Sequence, residues 1–567
     1  MIKSSASGGF ATAVVDQLVA AITPPFLGLS ATVPLARCVV AGTRLPSAKE
    51  TTGIMNDIHE NHPRSIINPQ STSRPLPSIP VHVANYLFNN YVTRVSPQYP
   101  IHYIPDLVAM HDAVFHQTGP DRNSRIPVTP YEVYTLNLIM AISLSTAARS
   151  NQSQADSIAR GLFENAMEQM PGVLTNDLRG LQALTLLTQY AFLNPSVANF
   201  WLLTGFISQA CIDLGLHQEL PDHAAKISVL ERDLRRRVFW SAWEMEIAVS
   251  GALLRPINLQ RRSITTEFPS QVEDAAITPA GIDSNGRVTK FSSHYIWRYR
   301  EIECDIVPIL FHNEPIPQEF ATLEGWMSHQ ERAILDWKAE IHDGAARNTD
   351  PLSQSQWDEM KHYSGIACDY ILVTLFRPCP RIKEPTVENF LKAFSAAVGV
   401  ADGSWEQANL DFGNSKYVFH SCYHSFSAAI VFLQALQRIK IEIAATYTLK
   451  QIEMKINAFS RFFATLAERW PAASGCLEEY ERLLVPARKE FSDYLVQEAH
   501  RLSDQDSSIT QLADGAGIYS NYDLGEEFTF GTIFNFPAPD VDRTLDYCSY
   551  IPVDWDQEFN FAVDKSI

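Results

Sequence analysis

Residues 201–217 read WLLTGFISQACIDLGLH, and residues 232–256 read RDLRRRVFWSAWEMEIAVSGALLRP. In the first stretch, apolar residues recur at helical spacing up to Gly215, which another apolar residue follows. A glycine just past the last helical turn, followed by an apolar residue, is typical of a left-handed C-cap with its hydrophobic contact. The sequence therefore predicts a helix that ends at Gly215.

The second stretch predicts a helix that is buried around most of its circumference. One apolar stripe is widened by large side chains, which leaves arginines in its first turns to face polar surroundings. The apolar positions are Leu234, Val238, Phe239, Trp240, Ala242, Trp243, Met245, Ile247 and Val249, and the arginines are Arg232, Arg235 and Arg236. Pro256 cannot continue a helix and disfavours helical geometry at Arg255. We therefore expect a turn there and an extended run over residues 257–269.

The rest of the chain favours helices as well. Between residues 81 and 497, apolar segments of helical length are separated by Pro, Gly and Asn. The clearest predicted helices cover residues 131–148, 156–170, 178–192, 358–376, 420–439 and 452–469. Strand patterns are sparse, and residues 267–286 indicate an irregular insertion. The predicted fold class is all-α, a multi-helix domain with irregular insertions between flexible termini.

Taken together, these residues resemble the middle homology region, the fungal-specific transcription factor domain of the fungal zinc-cluster transcription factors. The matching positions are Trp201, Gly205, Ala210, Leu214, Gly215, Leu216, His217, Leu234, Arg235, Arg236, Arg237, Phe239, Trp240, Arg255 and Pro256. Residues 80–105 resemble the entry helix and P-x-x-P exit of that domain, and residues 375–378 (LFRP) resemble its second arginine-proline turn. The resemblance covers residues 78–500 and depends on the order and spacing of the motifs.

The resemblance implies a nuclear regulator of RNA polymerase II transcription, often of a metabolic or secondary-metabolite gene set. The helical domain would restrain or relay activity in response to a signal. The partners implied are transcriptional coactivators, a small-molecule effector and a second copy of the chain in a homodimer. The signature residues are assigned structural roles, and none is assigned to catalysis or to a metal.

The sequence departs from the family pattern in one respect. A binuclear zinc cluster needs six cysteines in a compact basic segment, but Cys38 is the only cysteine before Cys211. We therefore expect no cofactor in this chain, with zinc only in a finger that this sequence does not contain. The net charge of -19 also disfavours direct DNA contact. Two explanations stay open: a lost finger-encoding first exon, or a co-regulator that reaches DNA through a finger-containing partner.

The two ends differ in composition from the helical part. Residues 1–77 are rich in Ser, Pro, Thr and Ala, which indicates a flexible leader rather than a domain. Residues 501–567 are acidic and carry interleaved aromatic residues, a pattern typical of activation segments that bind a coactivator groove. The aromatic residues assigned to this role are Tyr547, Trp555, Phe559 and Phe561. A solvated tail, or a strap docked on the helical domain, is an equally open interpretation.

Two groups of residues could carry chemistry but fit a structural role better. The run from Arg235 to Arg237 could bind DNA or act as an import signal, yet its acidic neighbours favour ion pairing and carbonyl capping. His420 and His424 share a helix face as a metal pair would, but two ligands are too few for zinc. Neither group predicts a catalytic or metal site.

Enzymes and membrane proteins receive no support from the sequence. It contains no Gly-x-Ser-x-Gly elbow, no phosphate-binding Gly-x-x-x-x-Gly-Lys loop and no dinucleotide-binding fingerprint. Its long uncharged stretches are broken by proline, so no membrane partner is expected. A ligand-binding or catalytic helical protein of the same fold stays an alternative. Its pocket would be lined by Trp201, Phe206, Trp240 and Trp243, although a filled core suits those side chains better.

Overall fold

The computed structural model describes residues 79–115, 128–147, 152–220, 227–410 and 418–514. The chain divides into two compact units, residues 1–499 and residues 500–567. The features below belong to the first unit, except for residues 500–514 of the last helix. The described residues form fifteen α-helices: α1 (Val81–Asn90), α2 (Ile104–Phe115), α3 (Pro130–Ala147), α4 (Gln152–Gln169), α5 (Leu178–Leu193), α6 (Phe200–Asp213), α7 (Val229–Leu253), α8 (Phe291–Phe311), α9 (Leu323–Arg347), α10 (Gln354–Phe376), α11 (Val387–Asn409), α12 (Val418–Arg438), α13 (Lys440–Thr446), α14 (Leu449–Arg469) and α15 (Ser474–Asp514).

The all-α prediction is confirmed. Each of the six helices predicted most clearly is present, as α3, α4, α5, α10, α12 and α14. The strands of the described residues are β1 (Ile277–Thr278) and β2 (Gly281–Ile282), which pair antiparallel with Ile277 opposite Ile282. This short hairpin lies within the predicted irregular insertion.

The extended run predicted for residues 257–269 is partly wrong. A 3-10 turn, Arg261–Ser263, interrupts it. Arg261 holds this turn because its Nε donates to Glu301 Oε1 at 2.6 Å and its Nη1 donates to the Ile264 carbonyl at 3.1 Å. A long-range ion pair therefore bends a segment that local sequence preference would leave extended.

Helix α7 lies at the centre of the fold. It packs against α5, α6, α8 and α12 and against both strands of the hairpin. Because neighbours surround it, every residue from 237 to 253 is buried. Ser228 caps its first turn by accepting a hydrogen bond from the Glu231 backbone N–H at 3.1 Å. The predicted burial around most of its circumference is confirmed.

The end of α6 also follows the prediction. Gly215 has a φ of +65°, in the left-handed region. The Gly215 N–H donates to the Ile212 carbonyl at 3.0 Å, and the Leu216 N–H donates to the Cys211 carbonyl at 2.9 Å. These two bonds define a Schellman C-cap, and Leu216 buries its side chain beside it. Glycine is favoured at position 215 because residues with a side chain are strained at a positive φ, even though the space around an added Cβ is open.

Two further findings concern the described residues as a set. Their six cysteines are free and buried, as expected for packed thiols: Cys211, Cys304, Cys368, Cys379, Cys422 and Cys476. Within the described ranges, no helix combines the length and the apolarity that a membrane crossing would need.

The two glycines of the α6 signature should respond differently to alanine. Gly215→Ala should lower the free energy of unfolding by about 1–2 kcal/mol, the cost of a side chain in the left-handed region. Gly205→Ala should be neutral or stabilising by up to about 1 kcal/mol, because Gly205 lies inside α6 with no atom within 4 Å of an added Cβ. Urea unfolding of the full-length chain measures both values. Equal effects would contradict the assignment of Gly215 to a left-handed C-cap and of Gly205 to the helix interior.

Candidate functional site

The junction of α6 and α7 is held by consecutive arginines at the start of α7. Arg235 donates to the Leu214 carbonyl at the end of α6, at 3.1 Å. Arg236 donates to Glu219 Oε2 at 2.9 Å and to Glu267 Oε2 at 2.6 Å. These side chains cap a carbonyl and pair with carboxylates, so their role in this structure is to join α7 to the loops beside it.

The loop after α6 lies alongside the segment that follows α7. The Thr266 hydroxyl donates to the Leu216 carbonyl at 2.5 Å, and the Thr265 N–H donates to the His217 carbonyl at 3.0 Å. Glu219 accepts a further bond from the backbone N–H of residue 267 at 3.0 Å. Partial burial raises the pKa of Glu219, but the hydrogen bond from Arg236 and its neighbours outweigh this and hold the pKa below its usual value. Glu219 is therefore ionised and can anchor both segments.

The third arginine, Arg237, forms a buried ion-pair cluster. Its side chain is fully buried, its Nε donates to Asp233 Oδ2 at 2.6 Å, and its Nη1 lies 2.8 Å from Asp274 Oδ1. Lys290 donates to the same Asp274 oxygen at 2.9 Å. A buried guanidinium is tolerated only when carboxylates compensate its charge, and here two of them do so.

Asp274 extends this cluster to α2. Its Oδ2 accepts the N–H of Ile104, the first residue of α2, at 2.8 Å. Burial raises the pKa of Asp274, but Arg237 and Lys290 outweigh it and hold the pKa below its usual value. Burial lowers the pKa of Lys290 to about 8. The cluster therefore joins α2, α7 and the start of α8 through one carboxylate.

The far end of α7 has a second Schellman turn, with a leucine in the left-handed position. Leu254 has a φ of +51°, and the Arg255 N–H donates to the Ser250 carbonyl at 2.8 Å. Arg255 is buried, and its guanidinium lies 4.8 Å from the centre of the Trp201 ring, a cation–π contact. The predicted turn before Pro256 is confirmed, and it brings α7 against α6.

The second arginine-proline turn is built similarly. Arg377 follows α10, is buried and donates from Nη1 to the Ser427 hydroxyl of α12 at 3.1 Å. Its guanidinium lies 4.9 Å from the centre of the Phe311 ring at the end of α8. This arginine therefore joins three helices on the other side of the domain.

A cavity of about 150 Å³ lies among these helices. Its lining comes from α7, α8, α10, α11, α12 and residues 94–99. Four polar side chains that line it are Glu244 from α7, Arg300 from α8, and His420 and His424 from α12. At its rim, Arg94 forms an ion pair with Glu359 of α10 at 2.7 Å.

The cavity is lined by several buried polar atoms that lack protein partners. Arg237 Nη1 and Nη2 in the ion-pair cluster also make no hydrogen bond, but there two carboxylates neutralise the charge. Arg300 donates from Nη1 to Glu303 Oε2 at 2.7 Å, while its Nε makes no hydrogen bond. The other unpartnered atoms among the lining residues are Glu244 Oε2, Gln356 Oε1, His420 Nε2 and His424 Nε2. Glu244 is only 1 % exposed and Arg300 only 6 %. Unpartnered polar atoms are costly in a protein interior, so this cluster of them marks the candidate binding site.

Burial controls the protonation of the cavity residues. It raises the pKa of Glu244 to about 8, although Arg300 acts in the opposite direction. It lowers the pKa of His420 to about 3, assisted by Arg300, and lowers the pKa of His424 well below its usual value. At neutral pH, Glu244 is therefore mostly protonated and both histidines are neutral.

A larger and more open cleft, of about 670 Å³, lies on the other side of residue 97. Its lining includes Arg237, Asp274 and Lys290, whose charges compensate one another, and Arg287, which lies 3.5 Å from Glu273. Because its ionic groups pair with each other, the cleft presents a weaker case for a ligand than the smaller cavity does.

The apolar pocket considered from the sequence is wrong. Phe206 is 50 % exposed, because α6 turns that face away from its neighbours. Trp240 and Trp243 are buried and pack edge to face at 5.3 Å between ring centres. Their indole N–H groups donate to the carbonyls of Glu267 and Leu259. A filled core is therefore what these tryptophans form.

Sequence reasoning missed Glu244 as a site residue. Glu244 and Glu246 are two apart in the sequence, so they cannot share a helix face as a catalytic pair of acids would. The structure places Glu246 in a different environment, where it accepts from the Ser250 hydroxyl and the Asn258 N–H. The sequence did contain an indication of this site: Glu244 lies in a helix predicted to be buried around most of its circumference. A buried carboxylate is costly unless it is paired, hydrogen-bonded or protonated.

The metal interpretation of His420 and His424 finds no support. The described part of the chain contains no group of three or more His, Cys, Asp or Glu side chains that could hold a metal ion. Instead, His424 stacks on Tyr370 with 3.7 Å between ring centres, and His420 packs against Phe192. The donor set therefore does not fit zinc.

Residues 88–339 match the family model of the fungal specific transcription factor domain. The chain contains a fungal specific transcription factor domain. The match runs from α1 into α9 and includes the α6–α7 junction, the Arg237 cluster, Glu244 and Arg300. The wider bounds of 78–500 stay a prediction for this domain.

Three relatives are similar to the chain. A positive regulator of purine utilization from Emericella nidulans is 22 % identical over 495 residues, which cover 71 % of this chain and 46 % of the relative. Pyrimidine pathway regulatory protein 1 of Saccharomyces cerevisiae is 27 % identical over 169 residues, 28 % of this chain and 18 % of the relative. An aurofusarin cluster transcription factor of Gibberella zeae is 29 % identical over 158 residues, which cover 26 % of this chain and 23 % of the relative. The chain thus spans less than half the length of these relatives.

Some predicted features lie outside the described residues. These are the leader, residues 1–77, and the aromatic residues assigned to the tail, namely Tyr547, Trp555, Phe559 and Phe561. Their assignments stay predictions.

Neighbouring arginines of the fungal specific transcription factor domain should differ in their effect on stability. Arg237→Ala should lower the free energy of unfolding by about 3–5 kcal/mol, because it leaves buried Asp233 and Asp274 without their main countercharge. Arg236→Ala should cost about 1 kcal/mol, since its ion pairs with Glu219 and Glu267 are both partly exposed. Urea unfolding of both full-length variants compares them. An Arg237 effect no larger than that of Arg236 would contradict the buried cluster.

Proposed function

We propose that this chain regulates RNA polymerase II transcription in the nucleus, acting on a metabolic or secondary-metabolite gene set. The observation that carries the proposal is the match of residues 88–339 to the fungal specific transcription factor domain. The names of the relatives support it, because two are regulators of purine utilization and of a pyrimidine pathway and a third is a transcription factor of a gene cluster.

In this proposal the helical domain is the regulatory part. Its signature residues are occupied in joining helices: Trp201 contacts Arg255, and Arg235, Arg236 and Arg237 are bound to carbonyls and carboxylates. They are therefore committed to the fold and are not free to contact DNA. The cavity beside α7 offers a place where a signal molecule could bind and favour one state of the domain over another.

A co-regulator that reaches DNA through a finger-containing partner is the second candidate. The net charge of -19 favours it, because direct binding to phosphates depends on an excess of basic groups. Both candidates share one requirement, namely that recruitment of this chain to a promoter changes transcription.

The acidic tail is the segment proposed to contact coactivators. Between residues 547 and 561, aromatic residues are interspersed with acids, as in Asp554-Trp555-Asp556. Charge repulsion keeps such a segment extended, and its aromatics are then available to a hydrophobic groove on a coactivator. A small-molecule signal would act by favouring the state of the chain in which the tail is available.

A reporter assay tests this function. The full-length chain is fused to a heterologous DNA-binding domain, and transcription from its binding site is measured. The fusion should activate the reporter, and replacing Trp555, Phe559 and Phe561 together by Ala should remove most of the activation. The matched control replaces Gln557 and Asn560 by Ala in the same segment and should leave activation intact.

Absence of any change in reporter transcription with a well-expressed fusion would contradict the regulatory role. Activation that survives the triple aromatic substitution would keep the regulator and remove the tail from the proposal.

A further inference from the structure

The lining of the cavity beside α7 has five polar side-chain atoms without a hydrogen-bond partner in the protein. They come from four helices: Glu244 Oε2 from α7, Arg300 Nε from α8, Gln356 Oε1 from α10, and the Nε2 atoms of His420 and His424 from α12. Each buried group left without a hydrogen bond costs about 1–3 kcal/mol. Five such groups around one space indicate that an occupant completes their hydrogen bonds.

The size of the cavity limits that occupant. A volume of about 150 Å³ is the size of cavity that binds benzene, or that holds about five water molecules at liquid density. A single-ring molecule therefore fits the enclosed space. Aromatic walls at Tyr299 and Tyr363 suit a planar ring.

The charge of the lining limits the occupant further. Arg300 is compensated by Glu303, and Arg94 at the rim is compensated by Glu359. The remaining titratable groups that line the cavity, apart from tyrosines, are Glu244 and the two histidines, which are mostly uncharged at neutral pH. The lining therefore has no net charge, and a charged ligand would enter without compensation.

The hydrogen-bonding roles of Arg300 and His420 specify which donor and acceptor groups the ligand must carry. Arg300 Nε can only donate. The His420 ring donates to the Ala248 carbonyl, and because Nε2 has no partner, the donating nitrogen is Nδ1. Nε2 of that neutral ring can then only accept. The occupant must present an acceptor to Arg300 and a donor to His420.

We propose that this cavity binds a compact, uncharged, single-ring molecule with an amide-type edge, one N–H donor beside one C=O acceptor. The carbonyl accepts from Arg300 Nε and the N–H donates to His420 Nε2. The Glu244 carboxyl, which already accepts a hydrogen bond from Tyr99, lines the same space. The biological meaning of this site rests on the proposed function, in which such a molecule is the regulatory signal.

The probe for the test is 2-pyridone, a planar lactam of benzene size, with benzoate, benzylamine and benzene as anionic, cationic and apolar comparisons. Binding to the full-length chain is measured by saturation-transfer NMR. 2-Pyridone should bind with a Kd of roughly 1 mM, the affinity expected for so small a molecule, and more tightly than the other three.

Two variants assign binding to the cavity. His420→Phe removes the acceptor and should weaken 2-pyridone binding at least tenfold. Ala367→Leu fills part of the cavity from a residue that lines it and should also abolish binding, with the polar groups intact. The matched control is His329→Phe, a histidine substitution on the exposed surface of α9, which should bind as the unmodified chain does. Circular dichroism confirms that each variant is folded.

Preferential binding of benzoate, benzylamine or benzene would overturn the proposal, as would absence of 2-pyridone binding, which would leave water as the occupant. Binding that survives Ala367→Leu would place the probe elsewhere and would also overturn it. Because the assay contains neither DNA nor a reporter, its failure leaves the regulatory role to be decided by the reporter experiment alone.

Discussion

A guanidinium that is buried away from water must be neutralised by carboxylates at hydrogen-bonding distance. Arg237, which is fully buried in the central helix α7, is subject to this constraint. Its partners come from its own helix, at Asp233, and from a 3-10 turn in the insertion, at Asp274. Asp274 also binds Lys290 at the start of α8 and the first N–H of α2. If the insertion moved away from α7, the buried Arg237 would lose the carboxylate of Asp274. Electrostatic pairing therefore fixes the position of this irregular segment.

The same physical rule, applied to the cavity, gives the opposite outcome. Around Arg237 the protein supplies carboxylates that neutralise the buried charge, although Nη1 and Nη2 make no hydrogen bond. Around Glu244, His420 and Arg300 the unused hydrogen-bonding capacity lines a cavity. Burial has shifted Glu244 and His420 toward their neutral forms. Arg237 of α7 therefore stabilises the fold, whereas Glu244 of the same helix lines a cavity whose polar groups can bind a molecule. Helix α7 contributes to both, so occupancy of the cavity can influence the packing of the central helix.

Local features were predictable from the sequence because they depend on neighbouring residues. The turn at Gly215 follows from one residue that tolerates a positive φ, and the burial of α7 follows from its own apolar pattern. The partner of Arg237 in the insertion was not predictable, because no local pattern specifies which distant carboxylate will reach it. The left-handed Leu254 contradicts local preference and is held by the packing around it.

The cavity was unpredictable for the same reason, since it needs Glu244, Arg300 and His420 from three separate helices. Phe206 shows an error of the opposite kind. Its helical spacing suggested a position in the interior, but it lies on the exposed face of α6. Hydrophobic periodicity identifies a buried helix reliably, while the contents of a space between helices depend on tertiary packing.

Chromatin occupancy of the tagged full-length chain tests the central claim most directly. A transcriptional regulator with this domain should be enriched at discrete promoters, and deletion of its gene should change transcript levels at those same loci. If the chain is expressed but shows no promoter enrichment, the transcriptional role is contradicted, and the helical domain with its polar cavity would have to serve another function.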